Sequence, residues 1–271
     1  MEHSERLGIK YEFTDEQKML ADNIVVHRIR AVRNFGNVTK GTLGGWIEHE
    51  ANLSHNGNCW VYNDAIVFGD ARIENDAMVM HNSRVYGDAS IGDTVAVMGN
   101  SIVFGTYICG DSKIYDDTYT SGSGFVCNST INGNAHVHGN GVMIENSYIT
   151  KNACVHGVAH VCNAYIGADA DIENTSDYIV VGPVGSRDSF TTAYKAVDGT
   201  VRIQCGCFNG TLAEFVRKVN KTYGRNSIYR KKSVHYYMYK ILILYLQQWR
   251  RMSEIRWKRK NNQKGCDKPW R

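Results

Sequence analysis

The amino-acid sequence predicts a mainly β protein centred on a parallel β-helix, with a small ββα module and a long helix at the C-terminal end. Two observations carry the β-helix. First, one residue, nearly always aliphatic, recurs every six positions: Val61, Val67, Ile73, Val79, Val85, Ile91, Val97, Val103. After three five-residue steps the series resumes at Ile108, Ile114, Thr120, Val126; at Ile131, Val137, Met143, Ile149, Val155, Val161; and at Ile166, Ile172, Tyr178, for 21 hexads in all. Second, a small residue usually stands two places earlier (Ala65, Ala71, Ala77, Ser83, Ala89), behind a turn-forming pair such as Asn63-Asp64, Gly69-Asp70 or Gly87-Asp88. A period of six fits neither the 3.6 of an amphipathic helix nor the alternation of a hairpin array. It fits short strands joined by corners, with one side chain per strand pointing inward. The small residue suits the crowded corner, and Gly and Asn tolerate the positive φ a corner needs.

Residues 1–46 read as an N-terminal cap, because the first coil would otherwise expose an unpaired edge. Ile24 to Val32 reads as a strand within it, and Gly44-Gly45-Trp46-Ile47 turns the chain into the first coil. Leu53 seats a partial hexad. The β-helix then spans 47–176. Residues flanking each inward position point outward. One face stacks Trp60/Tyr62, Met78/Met80 and Ala96/Met98; the next stacks Ile66/Phe68, Arg84/Tyr86, Ile102/Phe104, Tyr119/Ser121, His136/His138 and Cys154/His156. The third turns more apolar late in the series, at Phe125, Val142 and Ile144. Two faces are too apolar to remain in water as long stripes. Phe68, Tyr86 and Phe104, with Met78, Met80 and Met98, are therefore expected interface residues of a homo-oligomer. That oligomer is a trimer, or a dimer formed through the C-terminal helix at Tyr237, Ile241 and Leu244.

Residues 177–225 read as the ββα module. Tyr178 to Gly185 gives a strand and turn, and Thr191 to Phe208 a hairpin around Asp198-Gly199. Thr211 and Glu214 form a capping box that starts a helix ending near Gly224. Residues 226–260 read as a basic amphipathic helix whose apolar side carries Val234, Met238, Ile241, Leu242, Tyr245, Trp249, Met252 and Ile255. Residues 261–271 read as a disordered tail.

The formal net charge of +4 conceals an asymmetry. From Arg217 onward 17 Lys and Arg stand against two acids, a net of +15; the preceding residues carry −11. Such a split suits internal complementarity, contact between protomers, or an anion-binding arm. No apolar leader follows Met1, the eight cysteines form no CxxC pair, and the run Tyr236 to Leu246 is too short to span a bilayer. A reduced, cytoplasmic protein without a membrane partner is the expectation.

The hexads resemble the left-handed β-helix family, in which three hexads make a coil, so the resemblance implies about seven coils. The segments Arg30 to Val38, Gly41 to Ile47, Leu53-Ser54 and Gly57 to Tyr62 are similar to the opening of bacterial and phage hexapeptide-repeat proteins. Asp177 to Arg187, with Gly206 to Leu212, looks like a C-terminal module of phage and prophage proteins. The wider family contains acyltransferases, nucleotidyltransferase domains, γ-class carbonic anhydrases and non-enzymatic scaffolds. Fold alone does not choose among them.

No catalytic residue, metal set or cofactor is assigned. The weak candidates for both catalysis and metal binding are His138 and His156, one coil apart on one face. As acyltransferase residues they would take a proton from the attacking group; as ligands they would need a third from a neighbouring chain. An exposed or interfacial histidine ladder is the simpler account. Cys109, Cys127 and Cys162 share a face, and Cys205 and Cys207 alternate along a strand; both groups read as structural. Arg250, Arg251, Arg256, Trp257, Lys258, Arg259 and Lys260 mix cations with an aromatic, which suits nucleic-acid contact or a plain solvated helix end. The leading expectation is a non-enzymatic, phage-type scaffold that binds a host protein or nucleic-acid complex, as in counter-defence. The alternatives are an acyl-CoA-dependent acyltransferase and a γ-class metal enzyme.

Overall fold

The computed structural model describes residues 8–185, 188–224 and 233–264. Its centre is a parallel β-solenoid of about seven coils, each side of which is a stack of strands two or three residues long. One side stacks Ile47, Val67, Val85, Val103, Thr120, Val137, Val155 and Ile172. The second stacks Leu53, Ile73, Ile91, Ile108, Val126, Ile144 and Val161. The third stacks Val61, Val79, Val97, Ile114, Ile131, Ile149 and Ile166. All of these side chains are buried, so the core is a column one residue wide from each side.

One inward position differs from the hexad reading. Met143 faces outward and is 38% exposed, whereas Ile144 and Val142 are buried at 0% and 1%. The corner Gly139-Asn140-Gly141-Val142 takes one extra residue: seven steps separate Val137 from Ile144 and five separate Ile144 from Ile149. Val142, Met143 and Ile144 are all apolar, so periodicity could not choose among them. Val142 and Ile144 therefore do not belong to the outer face.

The N-terminal end is closed by two antiparallel strands, Tyr11–Met19 and Val25–Ala31, followed by Leu43–Ile47, which pairs in parallel with Ile66–Val67. Gly44 and Gly45 permit this entry, because a Cβ would lie 2.6 Å from Ile29 Cγ1 at the first and 2.5 Å from the Ala65 carbonyl oxygen at the second. Trp60, read as outward-facing, is instead fully buried beneath this cap, with Phe35 and Tyr11 against its ring. Lys10 is also fully buried; its Nζ donates to the Cys59 carbonyl at 2.7 Å and to Cys59 Sγ at 3.1 Å. Burial holds this amine below its ordinary pKa.

Tyr178 does not continue the column. It leaves the solenoid, and its hydroxyl stands in for the missing next strand, accepting from Cys162 N–H at 2.8 Å and donating to the His160 carbonyl at 3.1 Å. It opens a four-stranded antiparallel sheet: Tyr178–Val184, Ser189–Lys195, Val201–Cys205 and Phe208–Thr211. The stretch read as one strand, Val201 to Phe208, is broken by a turn at Gly206-Cys207, so Cys205 and Cys207 do not alternate along one strand. This sheet covers the far end of the solenoid, where Tyr194 enters the solenoid core and Ala170 bridges Ala196.

Thr211 and Glu214 make the expected capping box at the start of the helix Leu212–Tyr223. The C-terminal helix, Ser233–Lys264, continues past the boundary read at 260. Residues 226–232 of the expected helix and 265–271 of the expected tail lie outside the described residues. Leu242, Ile243, Leu246 and Trp249 of this helix bury against Phe215, Val219, Ile203 and Val184. Its apolar residues thus divide between two faces rather than forming one side. Among the described residues no helix is long and apolar enough to cross a membrane.

Candidate functional site

Two surfaces concentrate chemistry. The first is a row on the solenoid side that stacks Val137, Val155 and Ile172. Strand alternation sends the flanking residues outward, in register from coil to coil. His136, Cys154 and Asp171 form one column, and His138 and His156 the other. The two rings stack, with centroids 5.3 Å apart and planes 16° apart. His156 Nε2 lies 2.8 Å from Asp171 Oδ1. The carboxylate oxygen only accepts, so Nε2 is the donor of this hydrogen bond. Cys154 Sγ lies 3.5 Å from His138 Nε2, and Lys195, from the exit sheet, places Nζ 4.0 Å from Asp171 Oδ2.

Electrostatics sort these groups. Burial, then the neighbouring His156 and His136, hold His138 below its ordinary pKa. Burial, then Asp171, push the Cys154 thiol up, which disfavours its thiolate. His156 with Asp171 is the histidine–carboxylate hydrogen bond of this row. The register that placed His138 beside His156 also placed Cys154 and Asp171 on this side; Lys195 was invisible because it arrives from another sheet. His160 sits on a different side of the solenoid, 3.3 Å from Glu145 Oε2. Among the described residues, no three His, Cys, Asp or Glu side chains are grouped so as to hold a metal ion.

The second surface is the C-terminal helix. Val234, Tyr237, Ile241, Leu244, Tyr245, Met252 and Ile255 are 48% to 70% exposed. Beside them, Val181, Val184, Met238, Ile241, Leu242 and Tyr245 line an apolar groove of about 520 Å³. Arg250, Arg251 and Arg256 are exposed on the same helix, and Arg250 Nε lies 3.4 Å from Glu254. The side chains of Trp257, Lys258, Arg259 and Lys260 lie outside the described residues.

The remaining expected interface residues fall on the solenoid. Phe68, Tyr86 and Phe104 form a continuous ring ladder, with centroids 4.8 and 5.1 Å apart. Met78, Met80 and Met98 are half-buried on an adjacent side. Tyr237, Ile241 and Leu244 stand on the exposed helix face, remote in sequence from both.

No family model matches the chain. One stretch is similar to a protein named "Uncharacterized acetyltransferase YdcK" from Escherichia coli (strain K12), at 35% identity over 82 residues, covering 27% of this chain and 25% of that protein. The match thus spans about a quarter of the relative's length. The three-sided parallel solenoid and this similarity together fit the left-handed β-helix family of hexapeptide-repeat proteins.

Proposed function

We propose that this chain is a non-catalytic docking protein. The acidic solenoid is a rigid spacer, and the basic C-terminal helix receives an acidic amphipathic helix of a partner protein. One observation carries the reading: the helix already buries Leu242, Ile243, Leu246 and Trp249, yet leaves seven further large apolar side chains in water. Contiguous exposed apolar surface of this kind marks a binding site. The three- and four-residue spacing of Val234, Met238, Ile241, Tyr245, Met252 and Ile255 matches the way an apolar helix face is read by another helix. Lys240, Arg250, Arg251 and Arg256 select for acidic flanks. A second copy would bring two segments of +15 together, so this face favours another protein over itself. The resemblance of the entry segment to bacterial and phage proteins, and of the exit module to phage and prophage proteins, supports a host protein as that partner, met in the host cytoplasm. Self-assembly, as a trimer, belongs on this reading to the Phe68–Tyr86–Phe104 ladder and the Met78, Met80 and Met98 side.

The test is titration of the full chain with a synthetic helical peptide of Leu/Glu heptads, followed by fluorescence anisotropy. Saturable binding that weakens with salt and is lost in Ile241→Asp supports the reading. Absence of binding, or light scattering that shows the helix face consumed in a dimer dissolved by Ile241→Asp, overturns it.

A second reading is acyl transfer, with His156 Nδ1 as the base and Asp171 orienting the ring. It is favoured by the 2.8 Å hydrogen bond and by the similarity to a protein named as an acetyltransferase. Acetyl-CoA binding by calorimetry, with turnover lost in His156→Gln, would replace the docking proposal. Stoichiometric zinc lost in His138→Ala would instead favour the γ-class alternative.

A further inference from the structure

We infer that Cys109 and Cys127 are an oxidative modification site: a hydroperoxide converts them to a disulfide that staples two successive coils of the solenoid. The two sulfurs lie 2.8 Å apart. Non-bonded carbon atoms settle at about 3.5–4.0 Å, and sulfur is larger, so these thiols already stand inside ordinary contact. The backbone accommodates a bond. Cys109 and Cys127 are direct partners in one parallel ladder, whose strand spacing of about 4.8 Å falls within the range of about 4.4–6.8 Å between Cα atoms that disulfides require. Both side chains leave the same outer column, so their Cβ vectors run side by side.

No other described thiol competes. Cys162 occupies the same column, but Glu145 stands on the rung between it and Cys127, which puts it roughly 10 Å away, twice the strand spacing. Cys154 lies on a different side. Cys59 is buried under the N-terminal cap beside Lys10, and Cys205 and Cys207 belong to the exit sheet.

The two thiols divide the work. Cys109 is 8% exposed, and burial together with Cys127 pushes its thiol up to about 12. Cys127 is the more exposed of the pair, so it meets the oxidant. Its sulfur takes one oxygen from the hydroperoxide, giving a sulfenic acid and releasing the alcohol, or water from hydrogen peroxide. The Cys109 sulfur then attacks Cys127 Sγ. The S–S bond forms, the S–O bond breaks, and the departing hydroxide leaves as water with the Cys109 proton. Together the thiols lose two electrons and two protons, which the peroxide accepts. The staple closes a loop of 18 residues, one coil of the solenoid.

The experiment treats the purified full chain with hydrogen peroxide, alkylates the remaining thiols with iodoacetamide and maps tryptic peptides. Lys113 separates the two cysteines, so the staple joins peptide 85–113 to peptide 114–151, each of which holds a single cysteine. The expected result is that linked pair as the main oxidised product. The thermal midpoint should rise on the order of 5–10 °C, reverse with dithiothreitol, and not rise in Cys127→Ser. Cys127→Ala, checked for retained fold by circular dichroism, serves as the second variant should serine disturb the column. Recovery of the peptides separately, each cysteine alkylated or carried on to sulfinic acid, overturns the inference. So does linkage of Cys127 to any other thiol, or an oxidised protein that melts no higher.

Discussion

The solenoid and the C-terminal helix bury apolar residues in opposite ways. In the solenoid each short strand sends one side chain into the column and its neighbours out, so the core is complete once the coils stack. Val85, Val103 and Val137 are buried with no help from outside the stack, and each coil contacts mainly its neighbours, so stability accumulates coil by coil. The C-terminal helix carries more apolar side chains than its sheet can cover. Leu242, Ile243, Leu246 and Trp249 are buried, while Ile241, Leu244 and Tyr245, on the adjoining positions, are not. A region whose core closes on itself is free to vary its outer faces. A helix with surplus apolar surface leaves one face open to water.

Substitutions test this difference in descending size. The largest effect should come from Val103→Asp, which buries an unpaired charge in the column and costs several kcal/mol, about 4 or more; circular dichroism should show a loss of cooperative melting. Leu246→Ala removes the fully buried anchor of the C-terminal helix and should cost about 2–5 kcal/mol. Hydrogen exchange should then show the helix and exit sheet opening while the solenoid amides stay protected; equal loss of protection in both would mean the two regions form one cooperative unit. Thr211→Ala removes the side chain that accepts from Glu214 N–H and should cost about 1 kcal/mol, read as a lower thermal midpoint of the same C-terminal unit.

Ile241→Asp should change the melting free energy by no more than about 0.5 kcal/mol, because the side chain is solvated, yet abolish binding of the acidic peptide. A melting loss as large as that of Leu246→Ala would show that the face is already covered within the chain. The smallest effect is set by pH. His138 is held below its ordinary value of 6.5, so the unfolded chain binds its proton more readily than the folded one. Its contribution is full above about pH 6.5, falls as pH drops from there toward the folded value, and then levels off. Solvent screening at this exposed ring keeps the change to on the order of tenths of a kcal/mol. His138→Gln should therefore melt with a slightly weaker dependence on pH between 7.5 and 5 than the parent protein.

Much of the fold was legible because a six-residue period forces one side chain per strand inward, and a branched aliphatic at each of Val61, Val67 and Ile73 leaves no other register. Legibility failed where composition was degenerate or partners were distant. Val142, Met143 and Ile144 are interchangeable by hydropathy, so only the length of the Gly139 corner decides that Ile144 points inward. Trp60 reads as outward by register, and only the packing of Phe35 and Tyr11 from the cap buries it. For the histidine row, register alone stacks His138 on His156; the Lys195 contact with Asp171 depends on how the exit sheet folds back over the last coil.

The sequence by itself determined the solenoid and most of its inward and outward positions, because local sterics and a near-regular repeat act over six residues at a time; three sides to each coil followed from the resemblance to hexapeptide-repeat proteins. The tertiary structure decided what lies against those columns and what remains open. It made the Tyr178 hydroxyl the end of a ladder, buried Lys10 against Cys59, brought Cys109 Sγ to 2.8 Å from Cys127 Sγ, and divided the apolar residues of the C-terminal helix between a covered face and an open one. These outcomes depend on contacts between segments far apart in the chain or on side-chain rotamers across a rung, and a residue period carries no information about either.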